Sequence, residues 1–307
     1  MIRDQYDIYV TLSTFGESGS EPIRLLERSG LKFGINQTGK RPSAQEVLRN
    51  CCEAKVLIAG VEIYNQENLS HFKRLKCISR CGVGTENIDK VAAERFGIKI
   101  LNTPDEPVQA VAEHTVTLML ALLRKLPALD HDTKAGKWKR YTGNLLHGKV
   151  IGLVGYGRIG TRVACLLHPF GTEILAYDPA TRVEGPTRMM RNVDELLSKA
   201  DIVSLHCPPG TAFIGRQEFL KMKKGSWLIN TARGDLVDDC ALAEALESGH
   251  LAGAALDVFP QEPYSGVLLS NEKVILTPHQ ATLTKETRLA MEIAATKNAI
   301  MFIKKSK

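Results

Sequence analysis

Gly155, Gly157 and Gly160 stand at the spacing GxGxxG, and Asp178 follows eighteen residues after the last of them. The apolar run Val150-Ile151-Gly152-Leu153-Val154 precedes the glycines, and a helical pattern over residues 161–168 follows. A second apolar run, residues 173–177, then delivers Asp178. Strand, glycine turn, helix, strand and carboxylate form the order that a dinucleotide site requires. The first glycine permits a tight turn, the second lets backbone approach a pyrophosphate, and the third lets helix pack on strand. The helix N-terminus then faces the negative charge. The carboxylate accepts hydrogen bonds from ribose hydroxyls and repels a 2′-phosphate, which favours NAD over NADP. Arg182, four residues on, is placed to soften that choice. With 25 glycines in the chain the spacing alone is a weak signal, and the flanking elements and Asp178 make it specific.

Three more residues follow apolar runs that read as strands, where open α/β sheets place their sites. Arg233 follows Leu228-Ile229-Asn230-Thr231-Ala232, Glu262 follows residues 256–261, and His279 follows Leu276-Thr277-Pro278. An arginine grips a carboxylate with two parallel hydrogen bonds. A histidine exchanges the proton that accompanies hydride transfer, and a glutamate beside it stabilises the imidazolium. Each has a plainer alternative: a turn-bridging arginine, a helix-capping histidine, an exposed glutamate. Together, downstream of a dinucleotide fingerprint, they point to redox chemistry on a small carboxylic acid.

These residues need a parallel sheet covered on both faces, and the chain reads that way. Strands are expected at 8–10, 56–59, 76–79 and 98–101, with helices at 22–28 and 44–52 between them. A glycine loop, Cys81-Gly82-Val83-Gly84, follows the third of these strands. Residues 108–125 form one long helical pattern, expected to bridge two lobes. Strands at 202–205, 227–230, 254–257 and 274–276 continue the dinucleotide unit. A final helix over 285–304, apolar at Ala290, Ile293, Ala294 and Ile300, is expected to fold back onto the first lobe.

A length of 307 residues suits two domains, and 44% hydrophobic with 24% charged residues is ordinary globular composition. The net charge of +6 is scattered and has little aromatic company, so nucleic acid is a poor partner while small anions are well served. Seven cysteines without a CxxC pair point to reduced thiols in the cytoplasm, with neither a disulfide framework nor a metal site. The early acids Asp4 and Asp7 and the short apolar stretches lead us to expect neither a leader nor a membrane span.

The chain closely resembles the NAD-dependent D-isomer-specific 2-hydroxyacid dehydrogenases, particularly their phosphoglycerate dehydrogenase-like members. The resemblance rests on residues 79–89, 102–124, 148–160, 228–238, 253–263 and 276–281, in that order, and weakens before about Lys76. It implies two doubly wound parallel-sheet α/β lobes, with a Rossmann cofactor domain inserted into a flavodoxin-like substrate domain. Residues 1–102 would open the substrate domain, 103–283 would form the NAD-binding domain, and 284–307 would return to the first. By the same resemblance Arg233 binds the substrate carboxylate, His279 is the acid/base and Glu262 its partner. Arg158 and Ile159 meet the pyrophosphate, Asp257 lies on the nicotinamide side, and Cys207, Thr231 and Ala232 add cofactor contacts. The amides of Val83 and Gly84 hold the substrate carboxylate. A homodimer is implied, acting on a 2-oxo or 2-hydroxy acid.

Departures from the family pattern bear on the substrate. The segment 206–211 is shorter than the usual loop. Gly60-Val61-Glu62 stands where an arginine commonly helps to bind phosphate, leaving Arg80 as the nearest replacement. Because the chain ends soon after the closing helix, no serine-sensing regulatory domain is expected. The reading is an NAD-dependent oxidoreductase of a D-2-hydroxy acid, with 3-phosphoglycerate the leading substrate. The alternatives are a glyoxylate, hydroxypyruvate or other 2-oxo acid reductase, and an NADH-sensing corepressor-like binding protein. Formate dehydrogenase shares the fold, but the paired Glu262 and His279 speak against it.

Overall fold

Short, apolar, β-branched segments alternate with helices along the chain, and they assemble into two wholly parallel sheets. The computed structural model describes residues 5–40, 42–181, 186–208 and 213–305. Its contacts divide the chain into two units, Met1–Pro107 with Leu283–Lys307, and Val108–Thr282. In sequence, the second unit interrupts the first.

The first unit holds β1 (Ile8–Val10), β2 (Phe33–Ile35), β3 (Val56–Ala59), β4 (Cys77–Arg80) and β5 (Lys99–Leu101), in the spatial order β2-β1-β3-β4-β5. That is the flavodoxin-like doubly wound order. The period of two sorts its core onto both faces. Ile8, Val10, Val56, Ile58 and Cys77 point to one side, where Met291, Ala295, Ala299 and Ile303 of the helix Lys285–Lys305 cover them. Tyr9, Leu57, Ala59 and Ile78 point to the other, under Val47, Leu69 and Ala92. Strands buried on both faces read as continuous apolar runs, as these do. The Ser79 hydroxyl donates to Ala295 O at 2.8 Å and pins the last helix to β4. That helix meets the sheet through 291, 295, 299 and 303, whereas the apolar residues picked out from sequence, Ala290, Ile293, Ala294 and Ile300, are half-buried.

The second unit holds β6 (Val150–Val154), β7 (Glu173–Tyr177), β8 (Arg188–Met189), β9 (Ile202–Leu205), β10 (Ser226–Asn230), β11 (Leu251–Leu256) and β12 (Val274–Leu276). Their order is β12-β11-β10-β9-β6-β7-β8, the Rossmann arrangement with its switch point between β6 and β9. Ile151, Leu153, Ile174, Ile202, Ile229 and Ala255 line one face, packed by the helices Val108–Leu123 and Arg158–Leu167. Leu175, Val203, Leu205, Leu228, Ala254 and Leu256 line the other. Each Leu, Ile or Val side chain among them contributes roughly 1.5–3 kcal/mol relative to exposure.

The helix Val108–Leu123, expected to bridge two lobes, begins at the boundary residue and belongs to the second unit. It packs on the helix Arg158–Leu167 and on β10, β11 and β12, because eight of its sixteen residues are buried apolar or threonine side chains that need a sheet to cover them. Two strands have no counterpart among the apolar runs of the sequence. β2 is three half-buried residues around a glycine, and β8 is two residues beginning with an arginine. Both are edge strands with too little apolar alternation to register. Among the described residues no helix is long and apolar enough to cross a membrane.

Candidate active site

In the second unit, strand register does most of the positioning. Tyr177 pairs with Val154, Val154 with Leu205, Leu205 with Asn230, Asn230 with Leu256, and Leu256 with Leu276. These six residues form one row across the carboxyl ends of six strands. Within three residues of that row come Asp178, Gly155, Gly157, His206, Cys207, Thr231, Ala232, Arg233, Asp257 and His279. Segments scattered over more than a hundred residues of chain thus share one sheet edge, where open α/β sheets place their ligand crevice.

The glycine turn shows what its spacing was for. Gly155 has φ +97°, and a Cβ there would lie 2.5 Å from the His206 carbonyl carbon and 2.6 Å from Cys207 N. Only a residue without a side chain can pass between β6 and β9 at that point. A Cβ on Gly160 would collide with Gly155 O, so this glycine seats the helix on the turn. A Cβ on Gly157 meets nothing within 4 Å, which leaves open space above the backbone. Gly157 is also the N-cap of the helix Arg158–Leu167, and no side chain caps it, so the first N–H groups face outward, with Arg158 and Ile159 at the first turn. Asp178 Oδ2 accepts from Tyr156 N at 2.8 Å and its Oδ1 from Ala180 N at 2.8 Å, which ties the carboxylate to the turn. These features fit a dinucleotide: room at the second glycine, an uncapped helix end and a half-buried acid at the end of β7. Cys207 is buried beside Gly155, and burial pushes its thiol up to about 11, so it stays neutral. Arg182 and the residues 209–212 of the short loop lie outside the described residues.

On the other half of the row, Glu262 and His279 meet. His279 Nδ1 lies 2.9 Å from Glu262 Oε2 and 3.1 Å from Oε1. Glu262 Oε1 also accepts from Phe259 N at 3.2 Å, which folds its loop back on itself. His279 is one of only two non-glycine residues with positive φ among those described, at +53°. Such a conformation costs about 1–3 kcal/mol and persists where surroundings over-determine it. Here His279 N donates to Asp257 O at 2.8 Å and to Thr277 O at 3.0 Å.

The Asp257 carboxylate is fully buried. It accepts from Thr277 Oγ1 at 2.5 Å, Gln280 N at 2.7 Å and Ala281 N at 3.0 Å, with His114 Nε2 at 3.4 Å. Burial works to raise its pKa, but the hydrogen bonds from His114, Thr277, Gln280 and Ala281 outweigh it and hold the carboxyl below the ordinary range. Asp257 therefore acts inward, as the staple of the 277–281 segment.

Arg233 leads into the short turn Gly234–Leu236 and its Nη1 donates to Ala232 O at 2.7 Å. Asn230 brackets that loop, accepting from Ala232 N and donating to Arg233 O at 2.7 Å. A Cβ on Gly234 would run into the Phe259 carbonyl and Pro260 N, so the Arg233 loop lies directly on the loop that leads to Glu262. Thr231 Oγ1 bonds Thr115 Oγ1 at 2.9 Å.

The substrate candidates of the first unit share one loop at the end of β4. Arg80 folds beneath it, its Nη1 donating to Cys81 O, and a Cβ on Gly82 would lie 2.5 Å from that Nη1. Burial lowers the guanidinium pKa. Val83 is exposed, with its carbonyl held by Asn102 Nδ2 at 2.8 Å, and Gly84 follows half-exposed. Glu62 is turned into the core, accepting from Thr11 Oγ1 at 3.0 Å and Gly60 N at 2.8 Å. Sequence reasoning missed His114, Thr115, Thr277 and His206. Polar side chains on the largely apolar helix 108–123 were the available signal for the first two.

The sequence of residues 116–281 matches the family model described as D-isomer specific 2-hydroxyacid dehydrogenase, NAD binding domain. The chain belongs to this family. Residues 116–281 are its NAD-binding domain. The D-3-phosphoglycerate dehydrogenase of Methanocaldococcus jannaschii is 40% identical over 282 residues, 88% of this chain and 53% of that protein. The glyoxylate reductase of Thermofilum pendens is 40% identical over 279 residues, 86% of this chain and 82% of that one. A solved structure of a Thermus thermophilus protein superposes with a TM-score of 0.88 at 34% identity, covering 97% of this chain and 96% of the other. The chain spans about half the length of the phosphoglycerate dehydrogenases that it matches.

Proposed function

We propose that this family member is an NAD-dependent oxidoreductase that interconverts a D-2-hydroxy acid and its 2-oxo acid, with the 3-phosphoglycerate pair as first substrate to test. The observation that carries the reading is the 2.9 Å bond between His279 Nδ1 and Glu262 Oε2 at the strand edge that also bears the glycine turn. With Nδ1 bound to the carboxylate, Nε2 is the nitrogen that exchanges a proton with the substrate oxygen. Arg233 grips the substrate carboxylate with its fork of donors. The amides at the start of the helix Arg158–Leu167 take the pyrophosphate, and Asp178 takes the ribose hydroxyls, with Cys207, Thr231 and Ala232 alongside. When bound, the nicotinamide supplies or accepts the hydride. In the first unit, Arg80 and the amides of Val83 and Gly84 are the proposed substrate contacts. Two copies are proposed to pair through their cofactor units and to work in the cytoplasm, where the seven free thiols stay reduced.

One observation favours a second reading, a glyoxylate or hydroxypyruvate reductase. Glu62 places a carboxylate on the segment where a phosphate-binding arginine commonly stands, and its Oε2 accepts from both Thr11 Oγ1 and Gly60 N. An NADH-oxidation screen over phosphohydroxypyruvate, hydroxypyruvate, glyoxylate, pyruvate and bulkier 2-oxo acids separates the two. Turnover of phosphohydroxypyruvate well above glyoxylate supports the first, and the reverse order supports the second. NADH binding with no turnover of any of these acids would leave the corepressor-like reading instead.

A further inference from the structure

Two neighbouring residues of the helix Val108–Leu123 reach the two loops on which the proposed chemistry rests. His114 Nε2 stands 3.3 Å from Thr277 Oγ1 and 3.4 Å from Asp257 Oδ1. Thr277 spends its own hydroxyl proton on Asp257 Oδ1, so its oxygen is an acceptor toward His114. That assigns the proton to His114 Nε2. Thr115 Oγ1 donates to Val111 O at 2.8 Å, so the proton in its 2.9 Å bond with Thr231 comes from Thr231. One turn of one helix therefore holds the segment 277–281, which carries His279, and the loop 231–233, which carries Arg233.

We propose that His114 is a positioning residue: its Nε2–H, shared between Thr277 and Asp257, sets the pose of His279, while Thr115 beside it registers the Arg233 loop. The inference rests on the acid/base reading of His279. Asp257 has no exposure to solvent, so a lost donor is not replaced by bulk water. His279 sits in a left-handed conformation that only its neighbours maintain, chiefly through Asp257 O and Thr277 O. Loosening Thr277 and Asp257 lets that conformation relax and carries the imidazole off its line to Glu262. A displacement of about 1 Å at a reacting group is enough to cost on the order of a hundredfold in rate. The His114 ring itself is half-buried on the helix and need not touch the substrate to have this effect.

The test compares His114→Leu, which removes the donor, with His114→Gln, whose amide can return an N–H to the same acceptors. Steady-state kinetics with the best 2-oxo acid of the screen, NADH affinity by fluorescence, and the His279 ring signal by proton–carbon NMR are measured for each. His114→Leu is expected to lower kcat by about tenfold to a hundredfold with NADH affinity within about twofold of the parent, and His114→Gln to restore at least about a third of the rate. The His279 signal should shift or broaden in His114→Leu and return in His114→Gln. Thr115→Val should lower kcat/KM through KM, since it acts on the Arg233 loop, and Thr115→Ser should restore it. Parental kcat in His114→Leu, or equal damage in the Leu and Gln variants, would overturn the positioning role. If the parent protein turns over no 2-oxo acid, the functional reading fails by itself. The NMR arm still decides this proposal, since an unmoved His279 signal in His114→Leu overturns it.

Discussion

The glycine turn after β6 and the His279 segment after β12 sit on the same sheet edge but are held by different physics. At the turn, backbone packs on backbone: Gly155 against His206 and Cys207, Gly160 against Gly155. Little there can be altered without a steric collision, and few side chains are involved. At the His279 segment, one buried carboxylate gathers a hydroxyl, two amides and an imidazole, and holds a strained residue in place. The first region is specified by the absence of side chains and the second by donors and acceptors far apart in sequence. Substitutions should accordingly act through shape at one end of the sheet and through hydrogen bonding and charge at the other.

The largest effect is expected at the polar end. His279→Asn should lower kcat by about a thousandfold, since general acid catalysis contributes on the order of 10²–10⁴, while NADH binding by fluorescence stays near the parent value. A comparable loss of NADH binding would mean that the two ends are not separable. Arg233→Lys comes next, with about a hundredfold loss in kcat/KM, roughly 3 kcal/mol, because a point charge cannot reproduce a bidentate grip. A loss under about fivefold would assign Arg233 to its loop alone.

The packed end has an acid-sensitive part of similar size. His206 is half-buried, with Nε2 2.9 Å from Ser204 Oγ, and burial lowers its pKa to about 4. Below pH 6.5 the unfolded chain takes up a proton that the folded chain refuses until about pH 4, so stability falls as pH drops through this window. The loss by pH 4 is roughly 3 kcal/mol. Chemical denaturation at pH 7 and pH 4 should show His206→Gln losing less stability than the parent between those values. Parallel losses would mean that the ring is protonated in the fold. The smallest effect belongs to Asp178→Ala, which should relax the preference for NAD over NADP by about tenfold in kcat/KM, as a repulsive charge is removed. A parent protein that already prefers NADP would show that Asp178 serves only the turn, through its bond to Tyr156 N.

Much of the fold is legible in the order of the residues. The apolar runs at β1, β3, β6, β7, β9 and β12 stand where periodicity puts them, since strands buried on both faces must be apolar throughout. β11 begins at Leu251, earlier than its apolar pattern suggests, because Ala252 and Gly253 carry almost no strand preference. The final helix is visible in the pattern, but its sheet-facing residues are not: Glu292 and Thr296 are buried on that face, which blurs the apolar stripe. Glu292 is accommodated by Arg288 at 3.0 Å and by Gly16 N at 2.9 Å, partners that no local pattern announces.

Sequence alone determined the parts whose reason is local. Residue type at Gly155, Gly157 and Gly160, an acid at the end of the next strand, and the order of strands and helices all follow from backbone sterics and short-range patterning. Tertiary structure decided what depends on register and burial. It placed six strand ends in one row, laid Gly234 on the Phe259–Pro260 backbone, turned Asp257 inward, and brought His114 and Thr115 to the segments that carry His279 and Arg233. The physical reason is that a hydrogen bond to a buried carboxylate is strong only where water is excluded. Which side chains share that dry space is a property of the packed sheet, and no stretch of the chain carries it by itself.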